Sequence, residues 1–189
     1  IDLSHPAGLL SAEETLDEDL LADDRTPVIA QIEGGAGTVH VITDNAGSEL
    51  AMDLVLVDAL LARDIPVMLH MKIHPTYVSD ATPRDFRNFV ELLESGTFDD
   101  DIHGPAKAWG GRLRAAFNVG ALRVAPDFFW TSARWLNQLP PRLQATFDGA
   151  RLVILKGDAN YRRSTFDTVT APDTRYQDLT AYFPHPLLA

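Results

Sequence analysis

The chain has 189 residues, 46% hydrophobic and 23% charged, with no cysteine and a formal net charge of −11. That length supports one domain with a sizeable core. The charge argues against nonspecific nucleic-acid binding. The lack of cysteine excludes disulfides, thiolate metal sites and cysteine nucleophiles, and agrees with a cytoplasmic setting. No apolar run approaches the roughly 20 residues of a membrane span. The chain opens at Ile1, with neither Met nor a signal-peptide pattern, so it is expected to be a piece of a longer protein.

Residues 1–8 read as irregular chain. Ser11 to Asp24 reads as an acidic helix, with Ser11 and Glu14 spaced as a capping box and the acids on a solvated face. Thr26 to Glu33 reads as a second helix with Pro27 in its first turn. Gly34, Gly35 and Gly37 precede a strand instead of joining a strand to a helix, so they read as a turn and not as a phosphate loop.

Thr38 to Ile42 is rich in β-branched residues and reads as a buried strand. Asp44, Asn45 and Gly47 then form a polar turn. A helix follows over 48–62, apolar nearly all round and therefore expected to be mostly buried. Glu49 and Asp53 share one face near its start. The helix dipole accounts for them there, and a cleft position for Glu49 is the alternative. Pro66 to Ile73 is a second strand, and two strands joined through such a helix form a βαβ unit with parallel pairing. Asp80 lies just past it, as a turn residue or a ligand. Pro83 to Glu94 reads as a helix capped by Thr82.

His70 and His74 are four apart, but they do not stand on a helical zinc motif, and Met71 and Lys72 fill the spacing. Residues 96–104 read as a loop, and Asp99-Asp100-Asp101 lacks the ligand pattern of a calcium loop. Ala106 to Asn118 reads as a helix interrupted by Gly110 and Gly111, and Leu122 to Ala125 as a third strand. Phe128, Phe129, Trp130 and Trp135 read as core, with a cleft wall as the alternative. Pro141 to Asp148 is expected to be a short helix, and Leu152 to Leu155 a fully apolar strand ending at Lys156-Gly157-Asp158.

In open α/β sheets ligands bind beyond the carboxyl ends of strands. Polar residues collect at just those points. Asp44 and Asn45 are expected to be metal ligands, because carboxylate and amide oxygens suit hard divalent cations. Lys156, Asp158, Asn160, Tyr161, Arg162 and Arg163 mix charges suited to phosphate with neutral hydrogen-bonding groups. An acidic chain needs local positive charge and a cation to hold an anion.

DNAGSE at 44–49 followed by Asp53, VSDAT at 78–82, and LKGDANYR at 155–162 resemble the metal-dependent damage-control phosphatase family, in its acidic-residue-methyltransferase-like subfamily. The resemblance covers about the whole chain. It implies an α/β fold with a three-layer α/β/α Rossmann-like core and a mostly parallel sheet. It also implies one divalent ion (Mn, Mg, Co or Ni) held by Asp44, Asn45 and Asp80. Substrate contacts would come from Glu49, Asp80, Asp158, Asn160, Tyr161 and Arg162, with Asp158 and Lys156 catalytic. The implied substrates are phosphate esters of the fructose 1-phosphate and fructose 6-phosphate class. No nucleic-acid or membrane partner is expected.

The subfamily also carries a C-terminal RTxK motif and an N-terminal helical domain, neither present in this chain. The expectation is therefore a catalytic core, residues 1–189, trimmed at both ends. The rival readings are an S-adenosylmethionine-dependent protein carboxyl methyltransferase, disfavoured by the lack of a glycine-rich loop after a strand, and a non-catalytic metal-binding core.

Overall fold

The structure is a computed structural model that describes residues 23–171 and 173–189. The acidic helix expected over Ser11–Asp24 lies outside the described residues, apart from Asp23 and Asp24. The chain divides after Gly34 into two units. Of the first, helix α1 (Arg25–Gly34) is described, and it includes the expected Thr26–Glu33 helix.

The second unit runs β1 (Thr38–Ile42), α2 (Ser48–Leu61), β2 (Val67–Met71), α3 (Pro83–Ser95), α4 (Asp100–Val119) and β3 (Leu122–Pro126). It continues with the short helices α5 (Phe128–Thr131) and α6 (Pro141–Gln144), β4 (Ala150–Leu155), α7 (Asp158–Thr165), α8 (Tyr176–Leu179) and β5 (Leu187–Leu188). The five strands form one sheet in the order β3-β2-β1-β4-β5, all parallel and flanked by helices. This is the three-layer Rossmann-like arrangement. The chain builds outward from β1 through β2 and β3, then returns to the other side of β1 as β4. The reversal leaves a crevice between the carboxyl ends of β1 and β4.

The central strands are apolar because both sheet faces are covered. All five residues of β2 are buried, as are four of the five in β1. Helix α2 buries Leu50, Asp53, Leu54, Val57 and Leu60. It is less enclosed than its composition suggests, since Met52 and Val55 are exposed. Helix α3 starts as expected, with Pro83 in its first turn. The Thr82 N–H and hydroxyl both donate to Asp85 Oδ2, at 2.8 and 2.6 Å.

Three local readings change. The loop expected over 96–104 holds only for 96–99: α4 begins at Asp100 and runs unbroken for 20 residues. Asp100 and Asp101 lie in its first turn, where the helix dipole favours acids. Gly110 does not interrupt it but lets it approach α3, since a Cβ there would stand 2.9 Å from that of Leu93. The helix expected over 141–148 is α6 followed by a 3₁₀ turn at Ala145–Phe147. The C-terminal Leu187–Leu188 is a strand paired with β4, too short for periodicity to detect.

The aromatic segment divides between its two readings. Phe129 and Trp130 are buried in a cluster with Ile42, Phe147, Val153 and Leu155, whereas Phe128 is exposed. Arg163, on α7, fixes this segment. Its guanidinium donates to the carbonyls of Phe129, Trp130, Ser132 and Arg134 at 2.6–3.3 Å and stacks 5.2 Å from the Phe129 ring centroid. Burial holds its pKa down. Among the described residues no helix is long and apolar enough to cross a membrane.

His40 on β1 and His70 on β2 meet in the core, Nδ1 to Nε2 at 2.9 Å, between Phe147 and Trp130. His74, the partner that sequence spacing offers to His70, is exposed and faces the Pro75 carbonyl. Burial lowers the His40 pKa to about 4 and that of His70 to about 3. The unfolded chain takes up these protons near pH 6.5, so below that it binds more protons than the folded chain. Stability present above about pH 6.5 is therefore expected to fall as pH drops towards 4 and 3, read as a falling urea midpoint. A midpoint flat across that window would refute the neutral pair. Arg163→Ala is expected to lower stability by about 3 kcal/mol, because it strands several carbonyls at once. Chemical denaturation checks this, and a loss below about 1 kcal/mol would mean the clamp is dispensable.

Candidate functional site

The site forms where the strand ends stand level. The β1–β2 register pairs Ile42 with His70, which brings Asp44 opposite Lys72 two residues on. Backbone bonds continue past the strands: the Thr43 N–H donates to the His70 carbonyl at 3.0 Å, and the Lys156 N–H to the Ile42 carbonyl at 3.0 Å. The loop before α3 folds back onto the same edge. Ala46 N–H donates to the Ser79 carbonyl at 2.7 Å and Ala81 N–H to the Asp44 carbonyl at 2.8 Å, so Asn45 and Asp80 pair as an antiparallel bridge.

Asp44 and Asp80 thereby face one point, which the ammonium of Lys72 occupies. Its Nζ lies 3.1 Å from Asp44 Oδ1 and 2.5 Å from Asp80 Oδ1. Lys72 and Asp80 are both 4% exposed. A surface pair of this kind would contribute little, whereas removing one partner of a buried pair costs about 3–5 kcal/mol. The second oxygen of Asp80 accepts the Thr76 and Tyr77 N–H groups at 2.8 Å each. Burial pushes the Asp80 pKa up, but the Lys72 and backbone bonds outweigh it and the net shift is down.

Asn45 donates its amide to Asp44 Oδ2 at 3.0 Å and to Glu49 Oε2 at 2.9 Å, while its oxygen accepts the Ser79 hydroxyl at 2.7 Å. Behind it Lys156 lies 3.1 Å from Asp53 Oδ1 and 3.5 Å from Glu49 Oε1. Burial pulls the Lys156 pKa down, yet the two carboxylates more than offset that and hold it up. Burial raises the Asp53 pKa, with the Lys156 charge opposing.

Gly157 makes room for Asp44. It adopts φ +81°, and a Cβ there would stand 2.0 Å from Asp44 Oδ2. Three residues on, Asn160 is 1% exposed and donates to the carbonyls of Thr43 (3.2 Å) and Lys156 (2.9 Å), which ties the ends of β1 and β4 together. Its Oδ1 is buried without a hydrogen-bond partner. Arg162 is held by Asp167 at 2.7 Å through two nitrogens, with Asp158 at 3.5 Å, and both carboxylates raise its pKa.

A cavity of about 600 Å³ opens over this edge. Of the residues singled out from sequence, Asp44, Asn45, Asp80, Asp158 and Arg162 line it, and the aromatic segment from Trp130 to Trp135 forms a wall. Asp158 is well exposed, its side chain 79% accessible. Glu49 joins through Asn45, and Lys156 through Glu49, without either being among the lining residues. Tyr161 also lies off the lining and stacks on Tyr176. The residue that sequence reasoning passed over is Lys72, taken only as a spacer between two histidines. Its signal was present: a lone charge directly after an apolar strand, level with an aspartate on the neighbouring one.

Asp44 and Asp80 already share one cation through two oxygens, and hard oxygen donors of this kind suit Mg or Mn. The donor pair therefore fits a divalent ion. Among the described residues no group of three His, Cys, Asp or Glu side chains converges as a metal site, and Asn45 places a neutral amide beside the aspartate pair.

A family model described as the damage-control phosphatase ARMT1-like domain matches residues 2–183. Damage-control phosphatase ARMT1 of Xenopus tropicalis is 30% identical over 204 residues, covering 99% of this chain and 45% of the relative. The proteins of that name from Rattus norvegicus and Homo sapiens are 33% and 30% identical, covering 79% and 80% of this chain and 34% and 35% of their own. The chain thus spans less than half the length of these relatives. The matched span holds β1 to β4 and the residues of the strand-edge cluster: the chain belongs to the damage-control phosphatase ARMT1-like domain family.

Proposed function

We propose that the chain is the catalytic core of a divalent-metal-dependent phosphatase acting on sugar phosphates or related damaged phosphometabolites of the fructose 1-phosphate and fructose 6-phosphate class, in the cytoplasm. The observation that carries this reading is the pair Asp44 and Asp80, two aspartates sharing one cation at the edge of a cavity that also holds Asp158 and Arg162. Family membership supports the phosphatase chemistry, and the name of the relatives gives the damage-control substrate class.

Asp44 and Asp80 would hold the metal, with Asn45 as the neutral ligand beside them. When bound, such a cation supplies Lewis-acid charge to a phosphoryl oxygen and acidifies water. The chain's own groups do the rest. Arg162, pre-set by its two-nitrogen hold on Asp167, presents a guanidinium to the transferring phosphoryl group. Asp158 presents an exposed carboxylate beside it, suited to take the proton of the attacking water or to act at phosphorus. Lys156, kept protonated by Asp53 and Glu49, adds positive charge next to Asn45 and offsets the acidity of the site. Glu49 and Tyr161 would meet the parts of the substrate that extend past the cavity. Asn160 supports the same contacts by fixing the strand ends.

Asp44→Ala is expected to cut metal-dependent phosphatase turnover by about 100-fold or more, since even outer partners of a metal ligand typically cost 10–100-fold. The measurement is phosphate release across a sugar-phosphate panel with Mn present, on this chain and on a version extended to the relatives' length. Undiminished turnover in the variant would sink the assignment. Gly157→Ala is expected to fold with a stability loss of about 1–3 kcal/mol from the strained backbone and to lose turnover with Asp44, because its methyl group takes the place of the Asp44 carboxylate. Wild-type kinetics in Gly157→Ala would show that Asp44 need not stand where it does.

A further inference from the structure

Lys72 has no task in the reaction as proposed, although it is the most enclosed cation of the cavity edge. Its ammonium meets Oδ1 of Asp44 and Oδ1 of Asp80. The remaining oxygens are committed elsewhere: Asp80 Oδ2 to the Thr76 and Tyr77 N–H groups, Asp44 Oδ2 to the Asn45 amide. Any other cation that reaches both carboxylates must therefore take the place of Lys72. The carboxylates themselves have little freedom. Asp80 is pinned by the bridge to Asn45, and Asp44 is packed on Gly157. Lys72, in contrast, ends a flexible four-carbon stem that borders a cavity of about 600 Å³.

We propose that Lys72 is a displaceable counter-cation, which neutralises the Asp44–Asp80 pair until a divalent cation exchanges for it, and that this exchange selects divalent over monovalent ions. The inference rests on the metal-dependent reading above. Its physical basis is charge. Two carboxylates and one ammonium sum to −1. Replacing the ammonium by a monovalent ion leaves that sum unchanged and gives up its hydrogen bonds. A divalent ion brings the carboxylate pair to zero in a poorly solvated place, where each unit of charge counts far more than in water. The released ammonium swings into the cavity, on the side where an anionic substrate would enter.

The test follows the lysine itself. The chain has three lysines, Lys72, Lys107 and Lys156, and exposed Lys107 serves as the internal reference. Acetylation by an N-hydroxysuccinimide ester, read by peptide mass spectrometry, is run on the wild-type chain with Mn, with potassium at matched ionic strength, and with neither. Calorimetry measures Mn binding in parallel. The expected result is an increase in Lys72 labelling relative to Lys107 of about 10-fold with Mn and none with potassium. Mn binding that leaves Lys72 labelling unchanged, or potassium that releases it equally, overturns the proposal while the metal-dependent reading stands. No Mn binding overturns both. In a second arm Lys72→Met, verified as folded by circular dichroism, is expected to bind Mn about 10-fold more tightly because its competitor is gone. Equal or weaker binding in the folded variant overturns the exchange.

Discussion

The parallel pairing of β1 with a neighbour on each side is the constraint on which the rest of the site depends. β1 ends between two carboxyl ends, and backbone hydrogen bonds from Thr43 and Lys156 keep all three in step beyond the last strand residue. That alignment puts an aspartate, a lysine and a glycine side by side. The glycine leaves space, the aspartate fills it, and the buried lysine ammonium stands 3.1 Å from its carboxylate. The loop carrying Asp80 then closes over the edge by pairing with Asn45, and a second carboxylate joins the first.

Buried and half-buried polar groups near the cavity divide into two kinds. Asn160 and Arg163 satisfy backbone carbonyls, and their contribution is shape: one ties the strands at the reversal of the sheet, the other holds the aromatic wall. Asp44, Asp80, Lys72, Lys156, Glu49 and Asp53 satisfy one another through charge, so a ligand carrying charge can redistribute them. The first kind makes a rigid frame, and the second kind sits within it as a responsive cluster. Preorganised charge on rigid elements is what phosphoryl chemistry requires, since the groups need not reorganise as negative charge moves.

Much of this was legible in the residues. The strands at 38–42, 67–71 and 150–155 announce themselves by largely apolar runs, because a doubly covered sheet admits little else, whereas β3 at the sheet edge buries only Leu122. The polar residues that end them were equally plain, and so was the capped start of α3. Asp100 and Asp101 read as loop because acids at a helix start look like a solvated turn until the helix is seen to continue, and all three aspartates of the run from Asp99 are indeed exposed. Gly110 was misread as a break because its reason lies in another helix.

Sequence by itself determined the α/β class, the family and which strand ends carry polar residues, since these follow from local pattern and from motifs contiguous in the chain. Tertiary structure alone decided which of those residues face one another. Lys72 acquires its significance from Asp44, 28 residues away, and from Asp80 on the returning loop. His70 finds its partner in His40 across the sheet and not in His74 along the chain. Asn160, adjacent in sequence to Tyr161, turns inward while its neighbour turns out to stack on Tyr176. The physical reason is common to all three: strand register and helix phase set side-chain direction, and a charge or ring is defined by what packing brings against it.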